Sequence, residues 1–310
     1  MSELGTVQDS TVRCCVRKGD DSADSGESRE RGSVTTNWQL GEEFETPEGT
    51  IRWSVFGSGK PMVLVHGTPY SSFLWREIAP ALALRRQVFV FDHLGFGQSD
   101  QREGQDLSLA VHARNFAHLL QHWELSGPSV VAHDIGGAVA LRALLLEEAS
   151  YSDLTLFDAV SGGEWERGLF RLILQHSDVF HQLPGYAHEA LVVSHLRNAT
   201  HIGFRPGVLE AFLAPWQGAE GQAAFYRQYS QIKQADTVGY EPLLGEISIP
   251  VRLIWGREDR ILPPQYAEWL HERIPHAELH WVDGAGHLLQ EDAPARLMAH
   301  LTADVPAGRS

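Results

Sequence analysis

The chain has 310 residues, of which 43% are hydrophobic and 21% are charged. This composition is that of a globular protein with enough chain to bury one large core or two modest ones, and it excludes a disordered, collagenous or coiled-coil protein. Forty acidic against 25 basic side chains give a formal charge of −15. Because that charge repels phosphate backbones and anionic lipid, we expect no nucleic-acid partner and no membrane partner.

The two cysteines, Cys14 and Cys15, are adjacent, so they offer neither a disulfide framework nor spaced metal ligands. We find no apolar run of the roughly 18–20 residues that a spanning helix needs, and no signal-peptide pattern. A cytoplasmic location fits best. Residues 1–37 are rich in Ser, Asp, Glu, Arg and Gly and lack a hydrophobic period, so we expect a disordered tail there.

From residue 42 onward, short β-rich runs alternate with helix-length amphipathic segments. The predicted strands are 42–46, 50–56, 61–65, 87–91, 129–132, 154–157, 251–255 and 278–282, and the predicted helices are 108–123, 136–149 and 265–274. This alternation predicts an α/β fold in which a mostly parallel eight-stranded sheet is flanked by helices.

The alternation stops between residues 163 and 240, where about eighty residues read as helices broken at Pro and Gly. An insertion of that length is too long for a plain crossover, so we interpret it as a helical cap, or lid. The predicted organisation is a tail (1–37), a core domain (38–162 and 241–310) and the cap (163–240). In such a sheet the ligand crevice lies outside the carboxyl ends of the strands.

Asp134 stands between an apolar strand and an apolar helix, and Gly136 and Gly137 follow it. A tight strand-to-helix turn needs small residues there, because side chains would collide with the neighbouring helix and strand. The pattern is typical of a nucleophile elbow, in which a strained turn lifts one side chain above the sheet and the helix N-terminus favours an anion. The alternative is that Asp134 only caps the helix.

Two further candidates follow later strands. Asp259 lies in the loop after strand 251–255, and His287 lies in a glycine-flanked loop after strand 278–282. The chain order of nucleophile, acid and histidine is the order that accompanies such an elbow. Asp158, near the end of strand 154–157, is the alternative acid, and we prefer Asp259.

A charged intermediate also needs hydrogen-bond donors. The segment His66-Gly67-Thr68-Pro69 follows strand 61–65, and the backbone N–H groups of Thr68 and Ile135 can converge on one oxygen or halogen. Thr68–Pro69 is a candidate for a cis peptide bond. Without the other motifs, this segment would be an ordinary strand-ending turn.

Together these motifs resemble the α/β-hydrolase fold enzymes of the epoxide hydrolase and haloalkane dehalogenase group. The similarity extends over essentially all of residues 42–305, with matching motifs at 66–69, 71–76, 91–100, 133–137, 255–259 and 286–287. It implies that Asp134 attacks carbon to form an alkyl-enzyme ester, that His287 activates the water that hydrolyses this ester, and that Asp259 orients the imidazolium. A carboxylate suits the first role because it is already ionised at neutral pH and needs no base.

The leaving group stays open between epoxide oxygen and halide. Haloalkane dehalogenases are expected to hold halide with a Trp directly after the nucleophile and an Asn or Trp elsewhere, where this chain has Ile135 and Thr68. Epoxide hydrolases protonate the opening oxygen with lid tyrosines, and segment 225–228 resembles the one that carries such a residue, here Tyr226. The candidates for a second tyrosine are Tyr186 and Tyr229.

We therefore favour an epoxide hydrolase-like activity on a small apolar molecule and water, with no cofactor and no metal, in a monomer or homodimer. The alternative is a haloalkane dehalogenase-like hydrolase. An alternative of another class is a ligand-binding protein that kept the fold and lost turnover.

Overall fold

The computed structural model describes residues 38–305; Cys14, Cys15 and the predicted tail lie outside the described residues. The strands, β1 to β8 in chain order, are Glu42–Thr46, Gly49–Gly57, Lys60–Val65, Arg86–Phe91, Ser129–Asp134, Asp153–Ala159, Val251–Gly256 and Glu278–Val282. They form one sheet in the order β1-β2-β4-β3-β5-β6-β7-β8. Strand β2 is antiparallel to β1 and β4, and the pairs from β4 to β8 are parallel. The predicted eight-stranded, mostly parallel sheet is confirmed.

Helices cover this sheet and fill the long connection between β6 and β7. The α-helices of the described residues, α1 to α12, are Ile78–Leu82, Leu109–His122, Ile135–Leu146, Gly168–Gln175, Ser177–His181, Gly185–Asn198, Val208–Leu213, Gly218–Gln231, Ala235–Val238, Gln265–Arg273, Leu289–Asp292 and Pro294–Thr302. Short 3-10 helices span Ser72–Trp75, Ala214–Trp216 and Glu241–Glu246. We call residues 160–250, which include α4 to α9, the helical insertion. Within residues 38–305, none of the helices combines the length and the apolar character that crossing a membrane requires.

The sheet is buried on both faces. Alternate residues of β3 belong to different apolar clusters: Val63 and Val65 pack with α2 and α3, whereas Met62 and Leu64 pack with α1 and α12. Successive side chains of a strand point to opposite faces, so the two clusters are the two layers between sheet and helices. Parallel strands covered on both faces read as continuous apolar runs, which is why these strands were visible in the sequence.

The turn from β5 to α3 confirms the predicted need for small residues. Asp134 adopts φ = 53° at its apex. A Cβ on Gly136 would lie 2.6 Å from the carbonyl oxygen of His66, and a Cβ on Gly137 would lie 2.6 Å from the Cβ of Ala159. The close neighbours are therefore the ends of β3 and β6, and only glycine lets α3 begin against both.

Two elements end differently from their predicted bounds. Helix α3 ends at Leu146 rather than at residue 149, because Glu148 adopts φ = 56° and the Ala149 N–H donates to the carbonyl of Ala143, at 3.0 Å. A left-handed residue with such a bond is a common helix terminator. Strand β6 extends to Ala159, so Asp158 lies within the strand.

Replacing Gly136 with alanine should lower the free energy of unfolding by about 1–3 kcal/mol, the usual cost of overpacking. The matched control is Gly185→Ala at the start of α6, where a Cβ would meet no heavy atom within 4 Å. Urea denaturation of both variants measures the difference. Equal stability of the two would contradict the close approach of α3 to β3.

Candidate active site

Asp134 is buried beneath the loop that follows β3. A Cβ on Gly67 would lie 2.3 Å from the Cβ of Asp134, so glycine makes room for the carboxylate. The Thr68 N–H donates to Asp134 Oδ1 at 2.7 Å, and the Ile135 N–H contributes to lowering the pKa of this carboxylate. The Thr68–Pro69 bond is cis, as predicted. Both backbone N–H groups singled out in the sequence thus act on Asp134 itself.

The structure brings Asp134, His287 and Asp259 together, with the imidazole of His287 between the two carboxyl groups. His287 Nδ1 donates to Asp259 Oδ2 at 2.9 Å, and His287 Nε2 lies 3.4 Å from Asp134 Oδ2. The second distance is an ion-pair distance, longer than a usual hydrogen bond of about 2.7–3.2 Å. Asp259 Oδ1 accepts hydrogen bonds from the N–H groups of Ile261 and Leu262, at 2.7 and 2.9 Å. Asp259 is therefore fixed on the far side of the imidazole.

The charges of this cluster support one another. Burial alone lowers the pKa of His287, but the Asp259 and Asp134 carboxylates outweigh it and hold that pKa well above its ordinary value. Burial likewise raises the pKa of Asp134, and the neighbouring His287 more than reverses this, so that the pKa is lowered. The resting site at neutral pH holds an imidazolium between two carboxylates.

His133 supports the loop that carries His287. Its Nε2–H donates to the carbonyl oxygen of His287 at 3.0 Å, and the two rings lie 4.7 Å apart. Burial, followed by the charge of His287, lowers the pKa of His133 to about 3, so this ring is neutral. A neutral histidine adds no second positive charge beside His287.

Asp158 lies next to the acid rather than replacing it. Its Oδ1 accepts a hydrogen bond from the N–H of Gly256 at 2.8 Å, and its Oδ2 is buried without a hydrogen-bond partner among the described residues. Burial first, and then the charge of Asp259, raise the pKa of Asp158 well above its ordinary value. The raised pKa favours the protonated form of Asp158, whereas Asp259 is the carboxylate that contacts His287.

A cavity of about 260 Å³ opens above Asp134. Most of its wall is apolar and combines residues of the core with residues of the helical insertion. The lining residues are Thr68, Asp134, Ile135, Val160, Trp165, Arg167, Gly168, Leu169, Phe170, His195, Asn198, Tyr229, Arg260, Ile261 and Leu262. Its polar groups include the hydroxyl of Tyr229, which lies 2.9 Å from His195 Nε2.

The structure corrects the expectation for Tyr226. Its hydroxyl donates to Nδ1 of His188 at 2.9 Å, because His188 Nε2 already donates to the carbonyl of Trp216. Tyr226 is buried inside the helical insertion and does not line the cavity. Tyr186 is 80% exposed. Of the three tyrosines considered, Tyr229 is the one that faces Asp134.

Three site residues were missed in the sequence. His195 contacts Tyr229 from helix α6, and Gln228 accepts a hydrogen bond from the Thr68 hydroxyl at 2.8 Å. Arg167 lines the cavity from the start of α4. No local motif marks these positions, because each depends on how helices of the insertion pack against the core.

Asp134→Asn should lower the pKa of His287, because it removes one of the two carboxylates that hold the imidazolium. NMR titration of the His287 ring in both proteins measures the change. His287 contributes stability that is complete below pH 6.5 and is lost as the pH rises through its raised folded-state pKa, so the variant should lose this stability at lower pH. An unchanged ring pKa would show that Asp134 is not its electrostatic partner.

Asp158→Asn should gain stability relative to the wild type as the pH rises. The raised pKa makes the contribution of Asp158 to stability fall between pH 3.8 and the folded-state pKa, whereas asparagine does not titrate and its side-chain oxygen can still accept from the Gly256 N–H. We expect kcat/KM to stay within about threefold of the wild-type value. Asp158→Ala, the comparison variant, leaves the Gly256 N–H unpaired and should be less stable than Asp158→Asn at every pH. If the free energies of unfolding of wild type and Asp158→Asn change in parallel with pH, the raised pKa of Asp158 would be contradicted.

Known proteins share this fold. A sequence model described as the alpha/beta hydrolase family matches residues 62–300. An alpha/beta hydrolase fold protein from Burkholderia ambifaria is 42% identical, with a TM-score of 0.82, and the match covers 86% of this chain and 98% of that chain.

Two more distant proteins carry functional names. Haloalkane dehalogenase 2 from Mycobacterium tuberculosis is 26% identical over 267 residues, which are 83% of this chain and 91% of that protein. The structure of the epoxide hydrolase CorEH, 21% identical, gives a TM-score of 0.67 and covers 84% of this chain and 96% of that chain. The matched family model confirms the α/β-hydrolase fold, and the chain belongs to the alpha/beta hydrolase family.

Proposed function

We propose that this hydrolase opens epoxides through a covalent ester on Asp134. The observation that carries the proposal is the Tyr229 hydroxyl, which lines the same cavity as Asp134. Burial first, and then the charge of Asp134, raise the pKa of Tyr229 well above its ordinary value, so it is a proton donor at neutral pH. A carboxylate nucleophile and a phenol at one small cavity provide the two groups that epoxide opening needs.

In the first step, Asp134 Oδ2 attacks an epoxide carbon and the carbon–oxygen bond of the ring breaks. The proton of Tyr229 moves to the opened oxygen, which becomes a hydroxyl, and a hydroxyalkyl ester forms. The tyrosinate then receives the proton of the His287 imidazolium. His195 has a pKa of about 4, lowered by burial, so it is neutral and its Nε2–H can donate to the tyrosinate oxygen.

The ester changes the electrostatics of the site. Alkylated Asp134 carries no charge, so His287 loses one of its two carboxylates and becomes the neutral base that takes a proton from water. The resulting hydroxide attacks the ester carbon. Negative charge then develops on Oδ1, where the Thr68 N–H already donates, and the Ile135 N–H that helps to lower the pKa of Asp134 is the second group favouring this charge.

Collapse of this intermediate breaks the bond between the ester carbon, Cγ of Asp134, and Oδ2, the oxygen that joined Asp134 to the substrate and now leaves with it. The departing alkoxide takes a proton from His287 and leaves as a diol. The Asp134 carboxyl group returns its own proton to His287, which restores the resting imidazolium. Thr68 and Ile135 therefore act on the oxyanion of the ester rather than on the leaving group.

The donors that would hold a halide beside the nucleophile are missing or already engaged. Ile135 has no side-chain donor, and the Nε1–H of Trp165, the indole in the wall, donates to the Thr237 hydroxyl at 3.2 Å. The N–H of Thr68 is engaged by Asp134. These contacts favour the epoxide over the haloalkane alternative that the relatives also suggest.

The helical insertion acts as a lid in this proposal. It contributes Tyr229, His195, Trp165 and Phe170 to the cavity, whereas the core contributes Asp134 and its donors. An apolar lid keeps bulk water away from the carboxylate and leaves access to the one water that His287 activates.

His287→Gln should accumulate the ester, since the attack step survives while water activation is lost. Mass spectrometry of the Asp134 peptide, after incubation with a panel of epoxides and haloalkanes, measures the added mass. Wild-type enzyme should form diols and release no halide. If no compound of the panel adds mass to the Asp134 peptide, but a compound raises the Tm, the ligand-binding alternative would be favoured.

Tyr229→Phe should lower kcat for epoxides by about 10²–10⁴-fold, the usual contribution of a general acid. Tyr226→Phe is the matched control: it removes the same atom three residues away, where the hydroxyl faces His188 instead of the cavity. Steady-state kinetics on both variants separates the two tyrosines. An equal loss in both, or a greater loss in Tyr226→Phe, would overturn the assignment of Tyr229 as the acid.

A further inference from the structure

Two arginines stand at the mouth of the cavity that holds Asp134. Arg167 precedes helix α4 of the helical insertion, and Arg260 follows Asp259 in the loop after β7. Both line the cavity and both are exposed, so their charged ends lie where the cavity meets solvent. We propose that the substrate carries a carboxylate, held at this mouth by Arg167 and Arg260. The proposal rests on the proposed function of the same cavity.

Neither guanidinium is neutralised within the part of the chain that the structure describes. Across residues 38–305, Arg167 and Arg260 make no ion pair and no side-chain hydrogen bond. The nearby Arg205 differs, since it lies 3.4 Å from Glu77 and 3.6 Å from Glu291. Exposed arginines without an ion pair also occur elsewhere among the described residues, as at Arg171 and Arg197, so what sets Arg167 and Arg260 apart is that both line the cavity with donors open to an anion.

The acidic groups of the cavity wall show why a substrate carboxylate would need these arginines. Asp134 is the one carboxylate among the residues that line the cavity, and its partner is His287. A second carboxylate, brought by the substrate, would be repelled by Asp134 and by the overall negative charge of the protein. Two guanidinium groups at the mouth offset that repulsion, and each can bind a carboxylate through paired N–H donors.

The backbone around Arg260 is held in place. The next two N–H groups, those of Ile261 and Leu262, donate to Asp259. The loop that bears Arg260 is therefore bound to the carboxylate that contacts His287. Arg167 approaches from a different element. A carboxylate bound between them would also connect the helical insertion to the core.

Most of the cavity wall is apolar, and its apolar residues include Leu169, Phe170 and Ile261. The volume of about 260 Å³ lies below the roughly 300–1,000 Å³ of clefts for drug-sized ligands. The fitting substrate is therefore a short apolar chain with an epoxide at one end and a carboxylate at the other, bound so that the epoxide carbon meets Asp134.

The test compares two epoxides of equal length, one ending in a carboxylate and one in the uncharged amide. We expect the wild type to prefer the carboxylate by at least about tenfold in kcat/KM, and Arg167→Gln and Arg260→Gln each to reduce that preference by about tenfold. The kcat/KM for the amide should differ little between the wild type and these variants. Arg171→Gln is the matched control, since Arg171 is exposed on the same helix α4 but does not line the cavity.

Equal kcat/KM for the two epoxides in the wild type, or an equal effect of Arg171→Gln, would overturn the inference while leaving epoxide opening intact. If neither epoxide reacts with Asp134, the saturated carboxylic acid of the same length is the probe. A rise in Tm of the wild type that is lost in the double variant Arg167→Gln/Arg260→Gln supports the carboxylate site although the proposed reaction fails. No rise in Tm, together with no reaction, refutes both.

Discussion

The imidazolium of His287 between the buried carboxylates of Asp134 and Asp259 is the interaction on which the site depends. Burying two carboxylates is unfavourable unless each is paired and hydrogen-bonded. Backbone donors meet that demand: the loop after β3 donates to Asp134, and residues 261–262 donate to Asp259. The loops at the carboxyl ends of four strands are therefore shaped by one group of charges.

Much of this arrangement could be predicted from the sequence because it is written in local motifs. The strands are continuous apolar runs. The glycines that follow Asp134 indicate the turn there, because its close contacts leave no room for side chains. Asp259 and His287 each follow a strand, and the carboxyl ends of parallel strands meet at one edge of the sheet. The order of strands in the sheet then brings all three side chains together.

The lid-side residues could not be predicted in the same way. Tyr226 and Tyr229 lie three residues apart on α8, and the helical pattern alone places neither at the cavity. The direction is decided by partners from other helices: His188 takes the hydroxyl of Tyr226, whereas His195 meets that of Tyr229. Such pairings join positions more than thirty residues apart, where residue type and spacing carry no signal.

Asp158 shows how the same cluster limits its own charge. With Asp158 protonated, the group of Asp134, Asp259 and His287 carries one net negative charge, and an ionised Asp158 would double it in a site almost closed to water. Burial and the charge of Asp259 keep that proton in place. When Asp134 becomes an ester and His287 gives up its proton, Asp259 alone remains charged, and the net charge of the cluster is unchanged. The proton on Asp158 therefore keeps the cluster at one net negative charge instead of two, both before and after the ester forms.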